Sequence, residues 1–263
     1  MKLTQKNYYT KRNRYLTNSK VKDYQKSRAF FKRKHIDHAV DQKKTDAFLL
    51  GGMVDTLITE GEAKYFKKYE AVKTRSSKYE GKKTQVTLLM DQKAHDMANA
   101  MMTSLIFQEL EEYERQVILQ HDFKKSKKTN FKGIAGMLDF LYVAPDCGHA
   151  VIVDFKTSAT IDPFKYHRSA ISYQYDQQMA MYGWLVHLVY GVDLENITYR
   201  HVVMEKDTDG IYTIKPFTFD PLWIDETRER LMAIVDIINN QKDWEDAPVS
   251  MLTDSYFLTP YGN

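Results

Sequence analysis

The spacing of hydrophobic positions along this chain changes near residue 114, and the change divides it in two. Upstream the pattern is helical. Residues 18–35, which Asn18 or Ser19 could cap, read as one helix. Residues 45–59 (TDAFLLGGMVDTLIT) read as another, with Phe48, Val54 and Leu57 on its apolar face. The pair Gly51–Gly52 weakens that second helix, and such glycines often mark close backbone approach to a neighbour. Residues 90–113, rich in Ala, Met and Leu, form a third. From residue 115 the period drops to that of strands, and 115–123, 133–143 and 150–157 follow one another. Asp162–Pro163 then supplies a helix start, with Asp as cap and Pro at the first position. The helical region it opens runs to Gly191, with an interruption around Ser169–Ser172. Two more strands, 197–206 and 212–219, flank the turn DTDG, and a last helix covers 222–242. The predicted fold class is α/β: a mixed central β-sheet flanked by helices, with an N-terminal helical region. One domain over residues 1–263 is expected, with 1–113 mainly helical, 114–245 the α/β core and 246–263 a tail.

Within the core, GMLDFLYVAPDCGHAVIVDFKTS (136–158) places an aspartate in each of two apolar strands. An unpaired buried carboxylate is expensive, so something must compensate it. Asp139 and Asp154 are equidistant from the middle of the corner PDCG (145–148). A hairpin would therefore set them directly across one sheet face, with Cβ atoms about 4.5–5.5 Å apart. Like charges so placed destabilise a sheet unless a cation lies between them, and a hard divalent metal is the obvious one. Asp154 and Lys156 are two apart and share a face, whereas Phe155 points to the core. An ammonium beside a metal-bound water can orient or deprotonate it. Two carboxylates and a lysine suit phosphodiester hydrolysis. A solvated Asp–Lys pair is the blander reading of D-x-K, but the apolar strand, the aspartate in register and the preceding Gly136 favour the metal. Downstream, Tyr175, Gln178 and Tyr182 fall on one helix face.

Composition refines the picture. The chain has 43% hydrophobic and 28% charged residues and a formal net charge of +3, ordinary for a globular protein. Its positive charge is concentrated in residues 6–35, interleaved with Tyr and Phe, and in residues 124–132. Such segments can neutralise phosphates and stack on bases, or can simply be solvated. The single Cys147 excludes an intrachain disulfide and a cysteine-rich iron–sulfur site. No Walker-type phosphate loop occurs, so no ATP use is expected. The polar N-terminus shows no signal-peptide pattern, and no apolar run approaches the roughly 18–20 residues of a membrane span. A cytoplasmic protein without membrane association is the expectation. His35, His38 and His121 read as solvated, His149 as part of the corner, and Met97, Met101 and Met102 as helix core.

Gly136-x-x-Asp139, then Asp154-Phe155-Lys156-Thr157, then Gln178-x-x-x-Tyr182 resembles the PD-(D/E)xK nuclease superfamily, whose core is restriction-endonuclease-like. Within it the chain looks most like the RecE-type (exonuclease VIII-like) branch of phages and prophages, chiefly over residues 133–190. The resemblance implies that Asp139, Asp154 and the backbone carbonyl of Phe155 bind Mg²⁺ or Mn²⁺ and that Lys156 assists the attacking water. It also implies that Gln178 and Tyr182 form the motif on the flanking helix. That branch completes the metal shell from an upstream helix in a pattern like Gly-x-x-x-His. Here Gly51 is followed by Asp55 where the histidine would stand, with Glu60 and Glu62 as alternatives. The activity implied is 5′→3′ digestion of linear double-stranded DNA to leave 3′ single strands for recombination in a bacterial host. A homo-oligomeric ring and a strand-annealing partner are implied with it. An endonuclease and a non-catalytic DNA-binding protein on the same scaffold are the alternative readings.

Overall fold

The computed structural model describes residues 2–10, 13–40, 45–76, 79, 81–123, 130–206, 210–242 and 244. The turn residues 207–209, most of the basic cluster (124–129) and the tail 246–263 lie outside the described residues. The upstream part is helical: α1 (Gln5–Tyr8), α2 (Asn18–Lys26), α3 (Arg28–Phe31), α4 (Asp46–Thr59), α5 (Glu62–Lys68), α6 (Leu88–Met102) and α7 (Leu105–Glu109). The two long helices expected at 18–35 and 90–113 are each broken by a serine. Ser27 takes an extended backbone, ends α2, and its hydroxyl accepts from Phe30 N–H at 3.0 Å to cap α3. Ser104 does the same for α7 through Phe107 N–H. A hydroxyl that satisfies a first-turn N–H makes a new start cheaper than continuation.

Three short strands escaped the sequence pattern: β1 (Tyr15–Leu16) and the parallel pair β2 (Tyr69–Val72) and β3 (Thr84–Thr87). The rest of the sheet lies close to expectation: β4 (Glu114–Asp122), β5 (Gly133–Val143), β6 (Ala150–Ser158), β7 (Ile197–Glu205) and β8 (Ile214–Thr218). Between and after them come α8 (Pro163–Ser172), α9 (Tyr175–Tyr190) and α10 (Pro221–Asn240). Strands β4 to β8 lie side by side in chain order, with β6–β7 parallel and the other neighbours antiparallel. The parallel step is made by α8 and α9, because a parallel connection needs a crossover.

β4 runs along one edge of β5, so the other edge is shared. β1 pairs with Gly133 and Ile134, and β6 pairs with Phe140 to Val143. The stretch between them carries no strand partner on that edge, and it ends at Asp139. Apolar side chains fill both faces of the sheet. Ile134, Leu138, Leu141 and Ile152 pack with α9 and α10. Phe140, Val153 and Phe155 pack with α4 and α6, the core orientation expected for Phe155.

Two smaller expectations need correction. His35 is not in solvent: its Nε2 lies 2.7 Å from Asp23 Oδ2, in a side chain only 14% exposed. Met97 and Met101 are fully buried, but Met102 is 37% exposed, because α6 turns it away from α4.

Candidate active site

The hairpin around PDCG has the expected register, Val143 opposite Ala150 through Phe140 opposite Val153. The ladder then stops one step short of Asp139 and Asp154, so the two carboxylates are not a direct cross-strand pair. The strands part there, and Asp139 Oδ2 accepts the free Phe155 N–H at 2.9 Å. The other side of Asp139 is interrupted too. Gln116, which should oppose it on β4, has a left-handed backbone with φ of 51°, and the ladder skips from Arg115–Phe140 to Val117–Leu138. The Gln116 amide donates to Thr59 Oγ1 at 3.0 Å and reaches Asp139 Oδ1 at 3.4 Å. Such breaks cluster where a sheet must re-aim a side chain. A strand residue's N–H and C=O face the same edge, so the Phe155 carbonyl faces this opening as well.

Asp154 is 2% exposed. Lys156, two residues on, forms an ion pair with its Oδ2. The Gln178 amide donates to Asp154 Oδ1 at 2.9 Å and to the Tyr182 hydroxyl at 2.8 Å, while its carbonyl accepts from Lys156 Nζ at 3.3 Å. Tyr182 in turn donates to the Met137 carbonyl at 2.8 Å, on the unpaired edge of β5. Tyr175 lays its ring 4.8 Å from Lys156 Nζ, a cation–π contact. Of the three residues read as one helical face, Tyr175 and Gln178 thus meet the two strand residues directly, and Tyr182 meets them through Gln178.

That meeting requires Gly136. A methyl group there would come within 2.9 Å of the Tyr182 ring and of Leu185. Gly136→Ala is expected to cost about 1–3 kcal/mol by overpacking, read as a lower urea midpoint, with Tyr182 displaced from Met137.

Asp55 reaches the same place from α4. Gly51 lets the helix approach β6, since a Cβ there would lie 3.2 Å from Thr157 Oγ1. Asp55 Oδ1 is buried without a hydrogen-bond partner. Burial, and then the charge of Asp154, push the Asp55 carboxyl up to about 7. Asp139 is raised well above the usual carboxylate range by burial, Asp154 and Asp55, against the opposing Lys156 charge and Phe155 N–H. For Lys156, burial alone would lower the pKa, but Asp154 and Asp139 outweigh it and hold the ammonium charged. Three acids therefore crowd one lysine. Glu60 is drawn aside by Lys68, and Glu62 is exposed on the first turn of α5.

Sequence reasoning missed four participants. Lys22 of α2 donates to the Tyr173 carbonyl and lies 5.6 Å from the Tyr175 ring centre; burial and Lys156 bring it down to about 8. Tyr8 meets the Met137 backbone, and the exposed Tyr9 is within electrostatic reach of Asp139 and Asp55. His201 of β7, fully buried, stands beside Asp154 in the parallel register. Lys22, Tyr8 and Tyr9 carried a signal only as members of the basic, aromatic-interleaved segment 6–35, and His201 carried none.

Among the described residues no three His, Cys, Asp or Glu side chains form a ready-made metal cluster; Lys156 and the Phe155 N–H occupy the carboxylates instead. The donor set still fits a divalent ion. Its ligating groups are hard oxygens, three acids repel one another, and one carboxylate oxygen is buried with nothing to bond.

A sheet whose parted strands offer two aspartates and a lysine, flanked by a helix carrying Gln and Tyr, defines the PD-(D/E)xK nuclease fold. The chain belongs to the family described as PDDEXK-like domain of unknown function (DUF3799), which it matches over residues 17–250. The crystal structure of a candidate exonuclease from Eubacterium rectale superposes with a TM-score of 0.62 at 16% identity, covering 97% of this chain and 99% of that one. A phage-related exonuclease from Haemophilus somnus 129PT is similar over 56% of this chain and 70% of that one, at 17% identity and a TM-score of 0.32. No curated protein matches the chain. Among the described residues no helix is long and apolar enough to cross a membrane.

Proposed function

We propose that the protein is a divalent-metal-dependent exonuclease that digests linear double-stranded DNA 5′→3′ and leaves 3′ single strands for phage-type recombination. The observation that carries this reading is the convergence of Asp139, Asp154 and Lys156 at the strand break, with the unpartnered Asp55 oxygen beside them. Bound Mg²⁺ or Mn²⁺ would polarise the phosphate and lower the pKa of water. Asp139, Asp154, Asp55 and the Phe155 carbonyl would hold it.

The chain's own groups do the remainder. Lys156, released from Asp154, orients the attacking water as a hydrogen-bond donor and faces the negative charge that develops on the phosphate. Gln178 keeps Asp154 in place while its carbonyl steers the ammonium. Tyr182 fixes Gln178 against β5. Lys22 of α2 adds positive charge near this edge for the DNA backbone. The end-directed polarity rests on the RecE-type motif resemblance, as do a ring-shaped homo-oligomer, a strand-annealing partner and residence in the bacterial cytoplasm.

The test is linear duplex labelled separately at its 5′ and 3′ ends, incubated with Mg²⁺ or with chelator. Early loss of the 5′ label, with the 3′ label retained and chelator abolishing both, is the expected result. Cutting of a duplex with both ends blocked would make the protein an endonuclease. No metal-dependent cleavage of either substrate would leave a DNA-binding protein on a nuclease scaffold.

A further inference from the structure

His201 is not among the residues through which the motif acts, yet its setting is unusual. It is 0% exposed, in the middle of β7, and in register with Asp154 on the adjacent strand. Its Nδ1 lies 2.6 Å from the hydroxyl of Tyr166, itself 3% exposed, on α8. The rings of Tyr175 and Phe219 stand edge-on to it at 5.3 and 4.7 Å. Its Nε2 is buried without a hydrogen-bond partner and is aimed at Asp154 Oδ2, 3.9 Å away. That oxygen also lacks a hydrogen-bond partner and is met by the Lys156 ammonium as an ion pair.

Charge selects the tautomer. A lone pair on Nε2 facing a carboxylate oxygen would be repulsive, whereas an N–H there is attractive, so Nε2 carries the hydrogen and Nδ1 accepts from the Tyr166 hydroxyl. Burial, with Lys156 and Lys22 nearby, keeps the ring neutral. A buried N–H without a partner costs free energy, and it persists here within about 1 Å of hydrogen-bonding reach of one acceptor. Lys156 cannot both neutralise Asp154 and attend to water and phosphate. When it leaves, Oδ2 loses its ion-pair partner.

We infer that His201 is the positioning residue for Asp154. Held by Tyr166 with Nε2–H toward the carboxylate, it closes onto Oδ2 when Lys156 turns to the substrate and presents the other face of Asp154 to a divalent ion. The outer partner of a metal-binding carboxylate orients it and tunes its basicity. The inference rests on the metal-dependent reading above and deepens it. It also explains why a polar side chain stands fully buried in β7 among Tyr199, Val202 and Val203.

The experiment is Mn²⁺ titration of the DNA-free protein, followed by electron paramagnetic resonance, with wild type and the variants His201→Phe, His201→Gln and Tyr166→Phe. His201→Phe keeps an aromatic ring, slightly larger than the imidazole, and deletes the donor. It is expected to weaken Mn²⁺ binding about 10–100-fold. His201→Gln can place its amide N–H near the Nε2 position and is expected to recover most of that loss, which a purely space-filling role would not produce. Tyr166→Phe leaves His201 in place but frees its tautomer, and long-range ¹H–¹⁵N spectra should show the Nε2–H form giving way to a mixture. If His201→Phe does not fold, Tyr166→Phe carries the test through its weaker Mn²⁺ binding. Phe and Gln variants that bind Mn²⁺ within twofold of wild type would overturn the inference and leave the nuclease reading intact. A wild type that binds no Mn²⁺ would overturn both.

Discussion

Lys156→Ala is expected to slow cleavage of linear duplex DNA about 10²–10⁴-fold, the usual loss when a positioned acid–base group is removed. Lys156 has three contacts that an alanine cannot replace: the ion pair with Asp154, the Gln178 carbonyl at 3.3 Å and the Tyr175 ring at 4.8 Å. Its removal has two separable consequences. The water and the developing phosphate charge lose their ammonium, and the three acids lose the one cation at their centre, so they take up protons more readily. Lys156→Arg separates these. A guanidinium keeps the charge, but its planar fork cannot take the compact ammonium's place beside the water, so it should preserve most Mn²⁺ affinity while leaving turnover low. Single-turnover rates at saturating metal, taken from pH 6 to 9, are the measurement. An alanine variant that keeps more than a tenth of the wild-type rate would remove Lys156 from the chemistry.

The part of this site that could be read from the sequence is the part governed by local periodicity. Strand alternation put Asp154 and Lys156 on one face and Phe155 in the core. The symmetry of the chain about PDCG gave the hairpin register. The spacing of Tyr175, Gln178 and Tyr182 gave a helix face that does turn toward the strands. Each inference needs only two elements that are adjacent in the chain, so no long-range information is required.

What stayed hidden depends on contacts between distant segments. Gln116 looks like any polar residue in an alternating strand, and nothing local shows that its backbone turns left-handed opposite Asp139. That distortion, together with the shared edge of β5, is why the two aspartates part instead of facing each other. His201 was invisible for a related reason. It lies in ITYRHVVMEK, a run that reads simply as a strand, and its partner Asp154 is brought beside it only by the parallel β6–β7 pairing through the α8–α9 crossover. The serine breaks at Ser27 and Ser104 were local, but helical periodicity on both sides masked them. Asp55 is intermediate: the glycines hinted at close approach, and Gly51 does pack against Thr157, but only the folded chain brings its carboxylate to Asp154.

Asp55 also carries a stability prediction whose sign is fixed by its environment. Folding raises its carboxyl from 3.8 to about 7, through burial and the nearby Asp154 charge. A carboxyl raised in the folded state favours the protonated form, so it penalises folding once it must ionise. Below pH 4 the group is protonated in both states and the penalty is absent. It grows as pH rises from 4 to 7 and is complete above 7. A shift of this size corresponds to at most about 4 kcal/mol at 1.36 kcal/mol per unit, and solvent at the partly exposed site reduces it to about 1–4 kcal/mol. Asp55→Asn removes the ionisation. It should therefore melt above wild type at pH 8 and converge with it near pH 4, the stability cost that an active site commonly imposes. Saturating Mn²⁺ should reverse the order at pH 8. An ion at 100 times its Kd stabilises the folded protein by about 2.7 kcal/mol, and a variant missing one carboxylate gains less. Melting curves of both proteins at pH 4 and pH 8, with and without Mn²⁺, decide the matter. Equal stabilisation of wild type and Asp55→Asn by the metal would take Asp55 out of the metal site. An asparagine variant less stable than wild type at pH 8 would mean that the buried carboxylate is compensated by a group other than the ion.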